Sequence, residues 1–381
     1  MFQFIQLIDG LHMYQEHDTK LPFLGDTRHF TVDVQTGDVV SEGQPSFTYE
    51  GSYTTSIKIN VSGRRVTISR GNPSKINRLD NLFGYKTVDE CVFVYNQILL
   101  SLKLPPFTKC TKVWQLTGED GKRVRTFSNG AVITEIHTTT NKSVGKGNEH
   151  DYLRGISTQR LRNSIPHLAP NGCTVQWLSK LGHAALVHSS VYNKANEILL
   201  HQLPKIKRHY GETSPEYLQL LKVHNYCLEK GVVRFENKHK ARTLKKLNLN
   251  FWGLSDYSIL DKQQNEFLNI DKKLSVNTMT MQTIAELLKE EGVCKSVQAA
   301  NATAGYYFMW LQGQKFDFHK TQVQMHRARL RKINIDIAET CDITKHSAIR
   351  IKEMREIEIQ ELVVPDWYAL PVQNPHLRLV A

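Results

Sequence analysis

Apolar residues at short spacing in QFIQLIDGLHM, and alternation at the two-residue period of half-buried strands over residues 53–69, make the first 70 residues read as strand-rich. Residues 53–69 predict a hairpin, two β-branched runs that meet at Ser62-Gly63. The period then changes. Residues 87–102 read as a helix with Thr87 as N-cap and Glu90 three residues on, a capping box, and Pro105-Pro106 stops it. Residues 110–127, with Glu-Asp-Gly as the turn, and 129–140 predict further strands. After them, 152–165 reads as a basic helix and 173–192 as strands around Gly182. Residues 193–230 read as helix broken near Gly211 and Pro215, 232–236 as a short strand, and about 238–246 as a basic helix. From about 275 to 357 the pattern is helical, ending in HSAIRIKEMREI. The expected fold class is therefore α+β, with an antiparallel sheet in a domain over 1–255 and a helical domain over 256–381.

A length of 381 residues fits two domains, and 40% apolar with 23% charged residues is ordinary globular usage. No run of about 18 apolar residues occurs, and the N-terminus lacks the three regions of a signal peptide, so a cytoplasmic protein without membrane partners is expected. The six cysteines are scattered with no CxxC pair, which predicts free thiols.

Charge narrows the partner. Lys and Arg number 49 against 37 acids, a formal net charge of +12. Residues 201–246 hold eleven cations and four acids, and the helix from Lys320 to Lys332 carries Arg327, Arg329 and Arg331 with no acid. Two basic stretches without compensation favour phosphate contact. In the first of them, Arg234, Lys238, Lys240 and Arg242 are the expected DNA contacts.

Three strand-like motifs place ionisable residues at i and i+2, hence on one face of a strand. Glu135 and His137, in ITEIH, can ligate a divalent cation, Mg²⁺ or Mn²⁺. Tyr192 and Lys194, in VYNK, offer a hydroxyl nucleophile with a cation beside it. In VRFE, Glu236 is a further metal donor and Arg234 can grip a phosphate bidentately. Taken singly, each motif is also what the wet face of any antiparallel strand carries. No H-x-H, GxxxxGK[ST], GxSxG or HExxH is present, which sets aside the plain two-histidine nuclease motif, an ATP-driven helicase half, and serine-hydrolase or zinc-protease chemistry.

The chain resembles the replication initiators of filamentous bacteriophages, the II/X family. The segments that carry the resemblance are GNPSKINRLDNLFGY, ITEIHTTTNKSVG, VYNKANEI, GVVRFENKHKARTLKKLNL, AGYYFMWLQG and PDWYALPV. They run in order nearly end to end. The resemblance implies a nicking domain like that of rolling-circle initiators, acting in the host bacterial cytoplasm on double-stranded replicative-form DNA and the displaced single strand at the origin. It implies Tyr192 as nucleophile with Lys194 beside it, and Glu135, His137 and Glu236 as ligands of Mg²⁺ or Mn²⁺. Asp9, in LIDG, matches an acidic position, and host helicase and polymerase would be further partners. The other class the residues allow is a non-catalytic phage DNA-binding protein, an accessory factor or repressor.

Overall fold

The computed structural model describes residues 6–53, 55–117, 124–180, 182, 186–276, 281–339, 357 and 359–371, without the side chains of 273–276 and 281–283. Its strands are β1 (Leu7–Glu16), β2 (His29–Val32), β3 (Val39–Gly43), β4 (Phe47–Glu50), β5 (Ser56–Ser62), β6 (Arg65–Ser69), β7 (Val113–Thr117), β8 (Val124–Ser128), β9 (Val132–Ser143), β10 (Ile165–Leu168), β11 (Thr174–Leu178), β12 (Val187–Asn193), β13 (Val232–Lys240) and β14 (Gln360–Glu361). The helices are α1 (Val88–Ser101), α2 (Glu149–Ile156), α3 (Lys194–Glu197), α4 (Leu203–Tyr210), α5 (Pro215–Lys230), α6 (Ala241–Lys246), α7 (Ser258–Leu268), α8 (Met281–Glu290), α9 (Val297–Leu311) and α10 (Thr321–Lys332).

A ten-stranded sheet organises the chain, in the order β10-β11-β12-β13-β9-β1-β6-β5-β4, with β14 also paired to β9. All its pairings are antiparallel. This is a mixed helix and sheet architecture with helices toward the C-terminal end. β9 lies at the centre because it is the longest strand and is paired on both sides, to β1 and to β13.

One face of the sheet is closed. Leu11, Met13 and Ile136 point to α1, where Val92 and Tyr95 meet them. Trp177, Val191 and Phe235 point to α2 and α7, where Tyr152, Ile156 and Phe267 meet them. The opposite face, here the front, is covered by α3, α4 and α5 at the Tyr192 end, with Ala195, Ile206 and Val223 in their core. At the other end it is open around His12 and Lys238.

Helix α7 belongs to this body, although it follows residue 255. The 3-10 turn after it brings Asp271 onto the buried ammonium of Lys142, 2.5 Å away, beside Tyr152. Helices α8, α9 and α10 have a separate core containing Leu288, Tyr307 and Leu330. The chain then returns: Tyr226 donates to the Val363 carbonyl, and Tyr368 packs on Phe83.

Several local expectations hold. The hairpin over 53–69 is β5 and β6, with Gly63 at φ +59°. The capping box is formed, Thr87 Oγ1 accepting from the Glu90 amide and Glu90 Oε2 from the Thr87 amide. The break at Gly211 and Pro215 separates α4 from α5. The five described cysteines are free. Two expectations fail. The helix over 152–165 ends at Ile156, and a turn with Arg162 at φ +53° leads into β10. The basic helix at 238–246 begins only at Ala241, because β13 continues to Lys240 under pairing from both neighbours. Ladder bonds on both sides outweigh the weak helix preference of NKHK. The HSAIRIKEMREI segment and the Glu-Asp-Gly turn lie largely outside the described residues.

Candidate active site on the front of the sheet

Strand register decides which side chains meet. Lys238 faces His137, Glu236 faces Thr139, and Arg234 faces Asn141 across β13 and β9. Tyr192, Ser190 and His188 of β12 face Arg234, Glu236 and Lys238. On the far side of β9, His12 of β1 faces Glu135, and Gly10 faces His137. Cross-strand partners share a face, so all these residues are on the front. A register shift between Ile8 and Gly10 bulges β1 and sets Asp9 off the ladder. Asp9 Oδ1 accepts from the Asn72 and Asn81 amides at 2.9 and 2.6 Å and lies 3.9 Å from Arg234.

The open end holds a histidine–carboxylate cluster. His12, Glu135 and His137 bring ligand atoms within 4.8 Å of one another. His137 Nε2 is 2.5 Å from Glu135, and its Nδ1 is 3.4 Å from Glu236. Burial opposes a charge on His137, but the bonds from Glu135 and Glu236 outweigh it and raise its pKa. Burial lowers His12, which favours the neutral imidazole. Burial works against the Glu236 carboxylate, yet the His137 bond and the charge of Lys238 bring it to about 2.

This donor set fits a divalent cation. Gly10 matters here, because a Cβ at that position would sit 2.5 Å from His137 Nδ1. Two imidazoles with a carboxylate suit Mn²⁺ better than Mg²⁺. If a cation takes the Nε2 side, between Glu135 and His12, then Nδ1–H is left to donate to Glu236. In that arrangement Glu236 fixes the ring instead of ligating, the usual outer partner of a ligating histidine.

The covered end holds the tyrosine. Tyr192 is half-buried, and burial pushes its hydroxyl well above the ordinary range, against the pull of Arg234. The charges of Glu236, Glu197 and Asp9 also act on it. Arg234 is 0% exposed, so it sits inside the site. It donates to the Asn81 carbonyl at 2.9 Å and to Thr139 Oγ1 at 3.0 Å, while Nε and the second terminal nitrogen have no hydrogen-bond partner. Lys194, 1% exposed, donates to Asn81 Oδ1 at 3.0 Å and to Glu197 at 2.8 Å.

The structure thus brings Glu135, His137 and Glu236 together, and sets Tyr192, Arg234 and Lys194 along the same face. Lys238 borders the cluster at 3.7 Å from Glu236. Lys240 is half-buried at the end of β13, and Arg242 is exposed on α6. The three arginines of α10 lie apart. Arg327 forms a bidentate pair with Asp336 at 2.6 and 3.0 Å, an acid just beyond the basic helix. Arg329 is half-buried, and Arg331 is exposed with Nε 3.8 Å from Asp336.

Sequence reading missed His12 and Asn81. His12 had a signal: Leu11 and Met13 flank it as core positions, so it must point to the other face. Asn81 lies in GNPSKINRLDNLFGY but had no local signal of its role, since its contacts come from residues far away in the chain.

The fold and site define a sheet protein with a histidine–carboxylate cluster and a tyrosine on one face, set in a strongly basic chain. Comparison with known proteins then gives the family. Residues 13–259 match the N-terminal family of the phage replication-associated protein, and residues 288–374 match its C-terminal counterpart. The replication-associated protein of Escherichia phage If1 is 50% identical over 323 residues, which cover 85% of this chain and 99% of that one. This chain belongs to the replication-associated protein family of filamentous phages. No solved structure matches it.

Proposed function

We propose that this chain starts phage rolling-circle replication by nicking one strand of the replicative-form duplex at the origin, and later rejoins the displaced strand. Family membership supports the role in replication. The observation that carries the chemistry is the alignment of Tyr192, Arg234, Glu236 and His137 on one face of neighbouring strands.

In this mechanism Tyr192 Oη attacks the scissile phosphorus. An O–P bond forms to the tyrosine, the P–O3′ bond breaks, and O3′ takes a proton. A 5′-phosphotyrosyl link and a free 3′-OH result. Retaining the phosphodiester energy in that link lets rejoining proceed without ATP. Arg234 stabilises the phenolate as it forms, from a dry position where its charge acts strongly. The phenol proton passes to solvent, since Glu236 and Glu197 are both held at about 2 and are weak bases. Lys194 is committed to Asn81 and Glu197, so it positions the end of β12 and does not touch the phosphate. A divalent cation, Mn²⁺ or Mg²⁺, held by His12, Glu135 and His137 would polarise the phosphate as a Lewis acid. Lys238, Lys240 and Arg242 extend the site with positive charge for the DNA backbone.

No helix among the described residues is long and apolar enough to cross a membrane. Action in the host cytoplasm, with host helicase and polymerase taking over the free 3′ end, completes the proposal. The experiment is nicking of the supercoiled replicative form by Tyr192→Phe. Loss of nicking with retained DNA binding supports the scheme, and nicking at the wild-type rate refutes it. A binding-only protein would give no nicked product with the unaltered chain.

A further inference from the structure

Helices α8 and α9 are joined by residues 291–296, where Gly292 takes φ +65° and Ser296 caps α9 through a bond from the Ala299 amide. Ala304 and Tyr307 of α9 pack into a common core with Leu288 of α8 and Leu330 of α10. His326 of α10 bonds Thr303 at 2.9 Å and stacks on Tyr306, locking α10 against the inner side of α9. Two short helices in a three-helix unit, joined by a six-residue connection that turns at Gly292, follow the order of elements of a helix–turn–helix.

Among the described residues, the first two turns of α9 present an outer side to solvent. Gln298, Asn301 and Ala302 are exposed in a row one helical turn apart, and Val297 begins it at 53% exposure. Helix α9 carries no charged residue, so nothing on it repels a phosphate backbone. Two exposed lysines flank it, with Glu290 and Glu291 on the α8 side of the turn. Lys295 precedes its cap, Lys320 precedes α10, and both are exposed with no ion pair among the described residues.

We propose that α8, the turn and α9 form a helix–turn–helix that reads base sequence in the major groove of duplex DNA. Gln298 and Asn301 are the reading side chains. A side-chain amide donates to N7 and accepts from N6 of adenine, and the small apolar Val297 and Ala302 fit a thymine methyl. Lys295 and Lys320 contact phosphates and carry no sequence information. This rests on the origin duplex being the substrate. It assigns the choice of site to α9, apart from the chemistry at Tyr192, and it predicts A·T pairs at the positions read.

The test uses the full chain and restriction fragments of the phage's own replicative form, competed at about 0.2 M salt. The wild-type chain should retain one fragment over the others. The double variant Gln298→Ala, Asn301→Ala should lose about tenfold or more of that preference. Both positions are exposed and alanine is a better helix former, so folding is not at risk. Lys295→Ala with Lys320→Ala should weaken all fragments alike and flatten the salt dependence by a slope of about 1–2. Full preference in the Gln298, Asn301 variant overturns the proposal, and so does a wild-type chain that prefers no fragment. Tyr192→Phe should keep the preference, so failure of the nicking scheme and failure of this assignment give different results.

Discussion

The backbone carbonyl of Asn81 accepts a hydrogen bond at 2.9 Å from the buried guanidinium of Arg234, 153 residues further along the chain. The side chain of the same asparagine holds Asp9 with its nitrogen and Lys194 with its oxygen. One loop residue therefore fixes the anion, the arginine and the lysine around Tyr192. Asn81→Ala removes the two side-chain bonds and leaves Lys194 and Asp9 short of a partner. The expected cost is about 1–3 kcal/mol of stability by denaturant unfolding. Single-turnover nicking should fall at least about tenfold, since small misplacements of a reacting group are costly. A variant with unchanged nicking would remove Asn81 from the positioning network.

His12 tests the cation. In the unaltered chain, Mn²⁺ should raise the melting temperature, because a ligand that binds only the folded state stabilises it. His12→Ala should abolish most of that rise while leaving the metal-free melting temperature nearly unchanged. Glu236→Gln should weaken it less, since the amide can still accept from His137 Nδ1. Equal losses in the two variants would place Glu236 among the ligands.

Gly10→Ala is a substitution of one methyl group with a large expected effect. Its Cβ would press on His137 at 2.5 Å, so the ring must leave the Glu135–Glu236 axis. The metal-induced shift and nicking should both fall, with duplex binding retained. A wild-type metal response in Gly10→Ala would show that the ring has room to move.

Glu197 gives a pH dependence. Although burial opposes its charge, the adjacent Lys194 ammonium brings it from the ordinary 4.5 to about 2. A depressed carboxylate stabilises the fold above its unfolded pKa and loses that stabilisation as pH falls through its folded value. Stability from Glu197 should therefore be complete above about pH 5 and fade toward pH 2. Glu197→Gln should flatten this part of the pH–stability curve measured by urea unfolding.

Much of the fold was legible where local chemistry decides it. The Thr87–Glu90 box, the Ser62-Gly63 turn and the Gly211–Pro215 break are short-range signals, and each marks its element correctly. The end of β13 was not legible, because Lys238 and Lys240 are strand residues only by virtue of pairing with β9 and β12. The site divides in the same way. The i, i+2 pairing placed Glu135 beside His137, but the VRFE motif and the basic stretches suggested that Arg234 and Arg327 face DNA. One is fully buried, and the other is tied to Asp336. Counting charges along the chain does not tell which have partners in space.

The return of residues 359–371 to the sheet has a consequence for synthesis. Tyr368 bonds Asp80, next to Asn81, across 288 residues of chain. At 5–20 residues per second, roughly 15–60 s separate the two on the ribosome. During that interval the loop that carries Asn81 lacks its clasp. A nascent chain therefore closes the loop beside Tyr192 only after Tyr368 has been made, and the Asn81 contacts must form without that clasp while the 288 residues from Asp80 to Tyr368 are added.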